Sequence, residues 1–210
     1  ISGAEQTIQS LWGLDTTLHG LAISMALWGT VLGSLTGGWP SERFGRKKTL
    51  LWIGVLYLSS AIGSALAPEV YSFMFFRFIG GLGVGISTVA APMFISEIAP
   101  PKYRGRLAGM FQFNIVLGIL VAFVSNSLLA GIGEHAWRWM LGVEAFPALL
   151  FAVLCFGLPE SPRWLIVRKK DLEGGLSVLK KTNASASPEE LDLLYHEIIA
   201  SGADIKQSDT

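Results

Sequence analysis

Along most of this chain, apolar residues do not alternate with polar ones at a helical period. They run almost unbroken over long stretches. A bilayer core of about 30 Å takes roughly 20 helical residues to cross. Five stretches meet that length, near 18–39, 49–67, 70–98, 107–130 and 139–158. Each is expected to be a helix, because an open strand would leave backbone N–H and C=O groups unpaired in lipid. Beyond Leu158 the pattern changes. A short basic segment from Pro162 to Lys170 precedes Ser187-Pro188-Glu189-Glu190, a capping-box start with Pro at the first helical position. Leu191, Leu194, Tyr195 and Ile198 then recur at helical spacing and give one apolar stripe. The expected organisation is an all-α transmembrane bundle over 1–160 and cytoplasmic linker helices over 161–200, with 201–210 disordered.

Composition supports a membrane protein. Hydrophobic residues make up 51% of the chain and charged residues only 15%, where a soluble domain carries about 25%. The formal net charge of zero conceals a segregation that sets orientation. Arg43, Arg46, Lys47 and Lys48 lie between the first two spans, Lys102, Arg104 and Arg106 between the third and fourth, and Arg163, Arg168, Lys169 and Lys170 after the fifth. The opposite loops hold Glu5, Asp15, Glu69, Glu134 and His135, with Arg138 as the basic exception. The positive-inside rule places the basic loops in the cytoplasm. Residues 1–17 then lie outside, and a preceding helix is expected to bring the chain there. The first residues show no basic region followed by an apolar core, so no signal peptide is expected. Cys155 is the one cysteine, so an intrachain disulfide is excluded.

Little here suggests an enzyme. His19, His135 and His196 are far apart and lack metal-ligand spacing, and no nucleophile–base pair stands out. No cofactor, metal or nucleic-acid partner is expected. The glycine string from Gly80 to Gly85 has the wrong spacing for a dinucleotide loop and follows no strand. Gly29, Gly33 and Gly37 recur every four residues and suit close helix packing.

Charges within the spans are more informative. Arg77 and Glu144 each lie about 10 Å from the outer end of a span at 1.5 Å per residue. At that depth a charge is costly unless it is paired or faces a wet cavity. Two opposite charges at one level are expected to be neighbours.

Three motifs carry a family resemblance. The segment Gly37-Gly38-Trp39-Pro40-Ser41-Glu42-Arg43-Phe44-Gly45-Arg46-Lys47-Lys48 resembles the signature loop of major facilitator transporters, with Glu42 where that superfamily usually has Asp. Pro92-Met93-Phe94-Ile95-Ser96-Glu97-Ile98-Ala99-Pro100, followed by Arg104-Gly105, is similar to a stretch of the sugar porter family, with Phe94 replacing the usual Tyr. Pro159-Glu160-Ser161-Pro162-Arg163-Trp164-Leu165 matches a further motif of that family. The resemblance runs from Ile1 to about Lys181 and includes Trp137-Arg138-Trp139-Met140.

The resemblance implies the N-terminal six-helix half of a major facilitator sugar transporter, less its first helix, in the plasma membrane. It implies a cytoplasmic gate in which Glu97, Arg104, Glu160 and Arg163, with Glu42, Arg43, Arg46 and Lys47, hold the outward-open state. It also implies that Gln112 bonds sugar hydroxyls, with Ile115 and Ile119 beside it on the same face. Taken without the family, Gln112 is as well explained by a bond to a neighbouring helix. Arg77 and Glu144 match the proton-coupling positions of bacterial sugar–proton symporters, whose further Asp would fall just before Ile1. The implied partners are a monosaccharide, protons, the lipid bilayer and the C-terminal half of the same transporter. A facilitative uniporter or a non-transporting sugar sensor are the alternative functions.

Overall fold

The computed structural model describes residues 5–133, 135–184 and 186–208. The described residues form helices joined by short connections. These are α1 (Glu5–Trp12), α2 (Thr16–Thr36), α3 (Gly38–Phe44), α4 (Arg46–Leu66), α5 (Val70–Ile98), α6 (Arg104–Leu129), α7 (Ala136–Gly142), α8 (Ala145–Gly157), α9 (Pro162–Val167), α10 (Leu172–Thr182) and α11 (Pro188–Ser208), with a 3-10 turn at Pro101–Tyr103 before α6. Among the described residues, five segments are long and apolar enough to cross a membrane: Thr16–Thr36, Arg46–Leu66, Val70–Ile98, Pro101–Leu129 and Ala136–Gly157.

Several boundaries differ from the sequence expectation, for local reasons. The basic run after Gly45 is not a loop, because Arg46, Lys47 and Lys48 form the first turn of α4. The segment before it folds into α3 rather than extending the first span. The fifth span is broken into α7 and α8 at Val143–Glu144. Pro147 accounts for the break, since it has no N–H for the Val143 carbonyl and its ring crowds that carbonyl. The Val143 oxygen instead accepts from Phe146 N at 3.2 Å. At the C-terminal end α11 continues through Ser208, where the sequence expectation was disorder from 201. No proline interrupts the chain after Pro188, and the capping box at Ser187 and Glu190 closes reciprocally at 2.8 and 3.2 Å. The expected end of a preceding helix at 1–4, the outer-loop acid Glu134 and the last two residues lie outside the described residues.

The bundle is packed at its two ends. Near the outer end Ile8, Leu14, Phe73, Trp137, Met140 and Leu141 are buried together. Trp12 of α1 packs against Phe73 and edge-on to Trp137, with ring centroids 5.8 and 5.6 Å apart. Arg138 fastens this layer by donating to the carbonyls of Ala65 at 2.8 Å and Ala67 at 3.3 Å. Its guanidinium also sits 4.5 Å from the Trp137 ring centroid. Toward the inner end Leu50, Ile53, Ala90, Phe94 and Cys155 form a second core.

Between α2 and α5 the backbones are in close contact, and this explains both glycine sets. A Cβ on Gly29 or Gly33 would strike the carbonyl of Phe78 or Leu82, and one on Gly81 or Gly85 would strike that of Ala26 or Thr30. Gly81 and Gly85 of the glycine string are thus the other half of a small-residue interface, while Gly80 and Gly83 face α4. Helix α6 is different, since none of its 26 residues is buried. Its principal neighbours are α5 and α7, the helices next to it along the chain.

Candidate functional site: a charged membrane cavity above an inner ion-pair cluster

The residues singled out from sequence fall into three separate places. Arg77 and Glu144 share an open cavity of about 500 Å³ lined by α2, α4, α5 and α8, with Thr30, Tyr57 and Ser60 among its polar walls. Arg77 is half-buried, while Glu144 is exposed at the α7–α8 break. The two side chains form no direct ion pair, so they are neighbours across a space rather than a closed bridge. Arg77 Nε is buried without a hydrogen-bond partner among the described residues. Tyr57, which sequence reasoning missed, donates to Ser87 Oγ at 2.8 Å, and its ring lies against Gly83. The absence of a Cβ at Gly80 makes room for Ser60 in the same wall.

The second place is the inner end of the bundle. Arg46 is almost fully buried and grips Glu97 with two hydrogen bonds of 2.8 Å, from Nε and from a terminal nitrogen. Its other terminal nitrogen donates to the Ser41 carbonyl at 3.2 Å. Glu97 also accepts from Ser161 Oγ at 2.6 Å. Glu160 makes no side-chain ion pair here. One of its oxygens accepts from the backbone N–H groups of Arg46, Lys47 and Ser161 at 2.9–3.0 Å. It therefore caps the start of α4, where unpaired amides and the helix dipole favour an anion. Gly45 makes that seat possible, because its φ is +99° and a Cβ there would collide with the Glu160 carboxylate. Lys47 donates to the Phe156 carbonyl at 2.8 Å. Glu42 pairs with Arg168 at 2.7 Å, and its backbone carbonyl accepts from the Trp164 indole at 2.7 Å.

The remaining gate candidates behave differently. Arg104 and Arg163 form no ion pair among the described residues. Both line a cavity of about 330 Å³ beneath α10 and α11, with Glu97 and Glu197 in the same wall. Arg43 lies over the Trp39 ring at 5.6 Å. Ser41, Ser161 and Arg168 were not singled out from sequence. The first two sit inside recognisable motifs, but Arg168 carries no signal beyond its place in a basic run.

The third place is α6. Gln112, Ile115 and Ile119 are all exposed there, and none lines the Arg77–Glu144 cavity.

A bundle of membrane-length helices with a charged central cavity and an ion-paired inner end is the architecture of a membrane transporter rather than of an enzyme. Residues 2–207 match the family described as Sugar (and other) transporter, and the chain belongs to it. It is 39% identical over 203 residues to a glucose transport protein of Synechocystis sp., covering 91% of this chain and 43% of that protein. It is 37% identical over 191 residues to the galactose-proton symporter of Escherichia coli, covering 90% and 41%. Among solved structures, the major facilitator superfamily proton:xylose symporter XylE bound to 6-bromo-6-deoxy-D-glucose superposes with a TM-score of 0.91 at 31% identity, covering 100% of this chain and 50% of that one. The inward-open xylose transporter XylE from E. coli gives a TM-score of 0.85 at 32% identity, covering 95% and 51%. The fold is thus a half-bundle of the major facilitator superfamily, and the chain is an integral membrane protein. It spans less than half the length of the curated relatives it matches.

Proposed function

We infer that the full-length protein containing this half carries a monosaccharide, hexose or pentose, across the membrane together with a proton. The observation that carries this reading is the cavity shared by Arg77 and Glu144 inside the bundle. A charge within the span is costly unless it is compensated or hydrated. Loading a proton on Glu144 changes the net charge of that cavity by one unit, and so changes how readily it can be closed away from water. This ties occlusion to protonation. Relatives described as galactose-, xylose- and arabinose-proton symporters support the coupling and the substrate class.

Transport then proceeds by rocking this half against the C-terminal half around a midplane site. Gln112 supplies a donor and an acceptor to a sugar hydroxyl, which is itself both, with Ile115 and Ile119 as apolar contacts. The inner cluster acts as the gate on this side. Arg46, Glu97, Glu160, Glu42 and Lys47 hold α3, α4, α5 and α9 together, while Arg104 and Arg163 have charge available for the opposite half.

The test is uptake of labelled glucose, xylose and arabinose by the full-length protein in proteoliposomes, with and without an inward proton gradient. Accumulation of at least one sugar only with the gradient is expected, and Glu144→Gln should remove that dependence. Equilibration regardless of the gradient would make the protein a facilitator and leave Glu144 as a structural neighbour of Arg77. No uptake of any of the three would overturn the sugar assignment.

A further inference from the structure

At the basic end of the bundle a separate cavity of about 500 Å³ opens between α3 and the end of α9, lined by Trp39, Glu42, Arg43, Trp164, Arg168 and Lys169. Three cations meet one carboxylate there. Glu42 is engaged by Arg168 at 2.7 Å, and Trp164 is fixed by its bond to the Glu42 carbonyl. Arg43 has no carboxylate partner among the described residues and lies against the face of Trp39 at 5.6 Å. Lys169 has only an exposed contact with Asp171 at 3.4 Å. The pocket thus presents an unspent guanidinium fork and an ammonium between two indoles.

Its level in the membrane is set by the chain. Helix α2 ends at Thr36, and Trp39 follows within one turn. Trp39 is 64% exposed and meets Phe44, itself 45% exposed, edge-on at 5.8 Å. Exposed aromatic rings beside these cations at the end of a span suit the depth of lipid headgroups. Basic pockets on the cytoplasmic side favour anionic ones.

We propose that this pocket binds the phosphate of an anionic phospholipid. Arg43 and Lys169 donate to the phosphate oxygens, and Trp39 and Trp164 flank the headgroup. Inorganic phosphate would satisfy the cations but leave Trp39 and Phe44 uncovered, whereas the glycerol and upper chains of a lipid cover both. The guanidinium suits the ligand because its paired N–H groups match two phosphate oxygens at once.

The experiment is native mass spectrometry of the purified full-length protein titrated with phosphatidylglycerol or phosphatidylcholine, each with and without millimolar inorganic phosphate. Tighter binding of phosphatidylglycerol is expected, insensitive to inorganic phosphate. Lys169→Gln should weaken it about fivefold, the loss expected for one basic residue near an anionic surface. Trp39→Ala should weaken both lipids. Arg43→Gln should bring phosphatidylglycerol close to phosphatidylcholine, with thermal melting of each variant checking that it is folded. Equal affinity for the two lipids in the unmodified protein would overturn the proposal, as would a preference that survives in folded Lys169→Gln and Arg43→Gln variants. Displacement by inorganic phosphate would overturn the lipid assignment and make the site one for the free anion.

Discussion

Arg46 and Glu97 are the most deeply placed opposite charges of the inner cluster, with side chains 8% and 5% exposed. Taking both out of water is costly, and their attraction offsets that cost only because the geometry is bidentate and Ser41 and Ser161 satisfy further atoms. Removing one partner strands the other. Arg46→Met should therefore destabilise the full-length protein by about 3–5 kcal/mol, read as a fall in melting temperature in detergent. Arg46→Met with Glu97→Leu should cost less than Arg46→Met alone, since no buried charge is left uncompensated. A double variant whose loss equals the sum of the singles would show that the two residues act independently. Gly45 gives a second prediction at this scale. Gly45→Ala forces a side chain into φ +99° and against the Glu160 carboxylate, at a cost of about 1–3 kcal/mol. Gly38→Ala is its control. That position has open space around it and lies in a helix, so melting should stay level or rise slightly.

At the scale of elements, the linker helices carry their own sign of acid sensitivity. Asp171 caps α10, and its carboxyl is held below the ordinary aspartate range by the Gly174 amide first and by Lys169 second. The folded state takes up this proton less readily than the unfolded chain. The cap's contribution is complete above the ordinary aspartate range and fades as pH falls through and below it. Hydrogen-exchange protection of the first turn of α10 should therefore drop in that acid window. In Asp171→Asn, which keeps a capping acceptor without the charge, it should stay flat there.

What was legible in the sequence follows the same physics. The spans could be seen because lipid demands long apolar runs, and the start of α11 because a capping box is local. The break ahead of α8 was marked by Pro147, yet the apolar residues on both sides of Glu144 concealed it. The pairing of Arg46 with Glu97 joins residues 51 positions apart, and no spacing rule predicts it. Glu160 is acidic in sequence and looks like an ion-pair partner, but the amides at the start of α4 claim it. The glycine string is intelligible only once α5 lies between α2 and α4, with Gly81 and Gly85 against α2 and Gly80 and Gly83 against α4.

At the scale of the whole molecule, α6 is the least supported element. It is 26 residues long with none buried, and it is held mainly by its neighbours along the chain. Such an apolar helix packs against whatever the full-length protein sets beside it, and one of its faces is proposed to meet sugar. Gln112, Ile115 and Ile119 fall within one arc at about 100° per residue, while Leu117 and Val121 lie roughly half a turn away. Single cysteines at these five positions, in a background with Cys155 replaced by alanine, separate the faces. With sugar at about ten times its Kd, only about a tenth of the sites stay free. Labelling by a membrane-impermeant thiol reagent at 112, 115 and 119 should then slow by up to about tenfold, because an occupied site excludes the reagent. Positions 117 and 121 should label slowly with or without sugar, as expected of a face against lipid or another helix. Protection at 117 and 121 instead would turn α6 around and remove Gln112 from the sugar path. Equal labelling at all five positions, unaffected by sugar, would mean that α6 borders water without touching substrate.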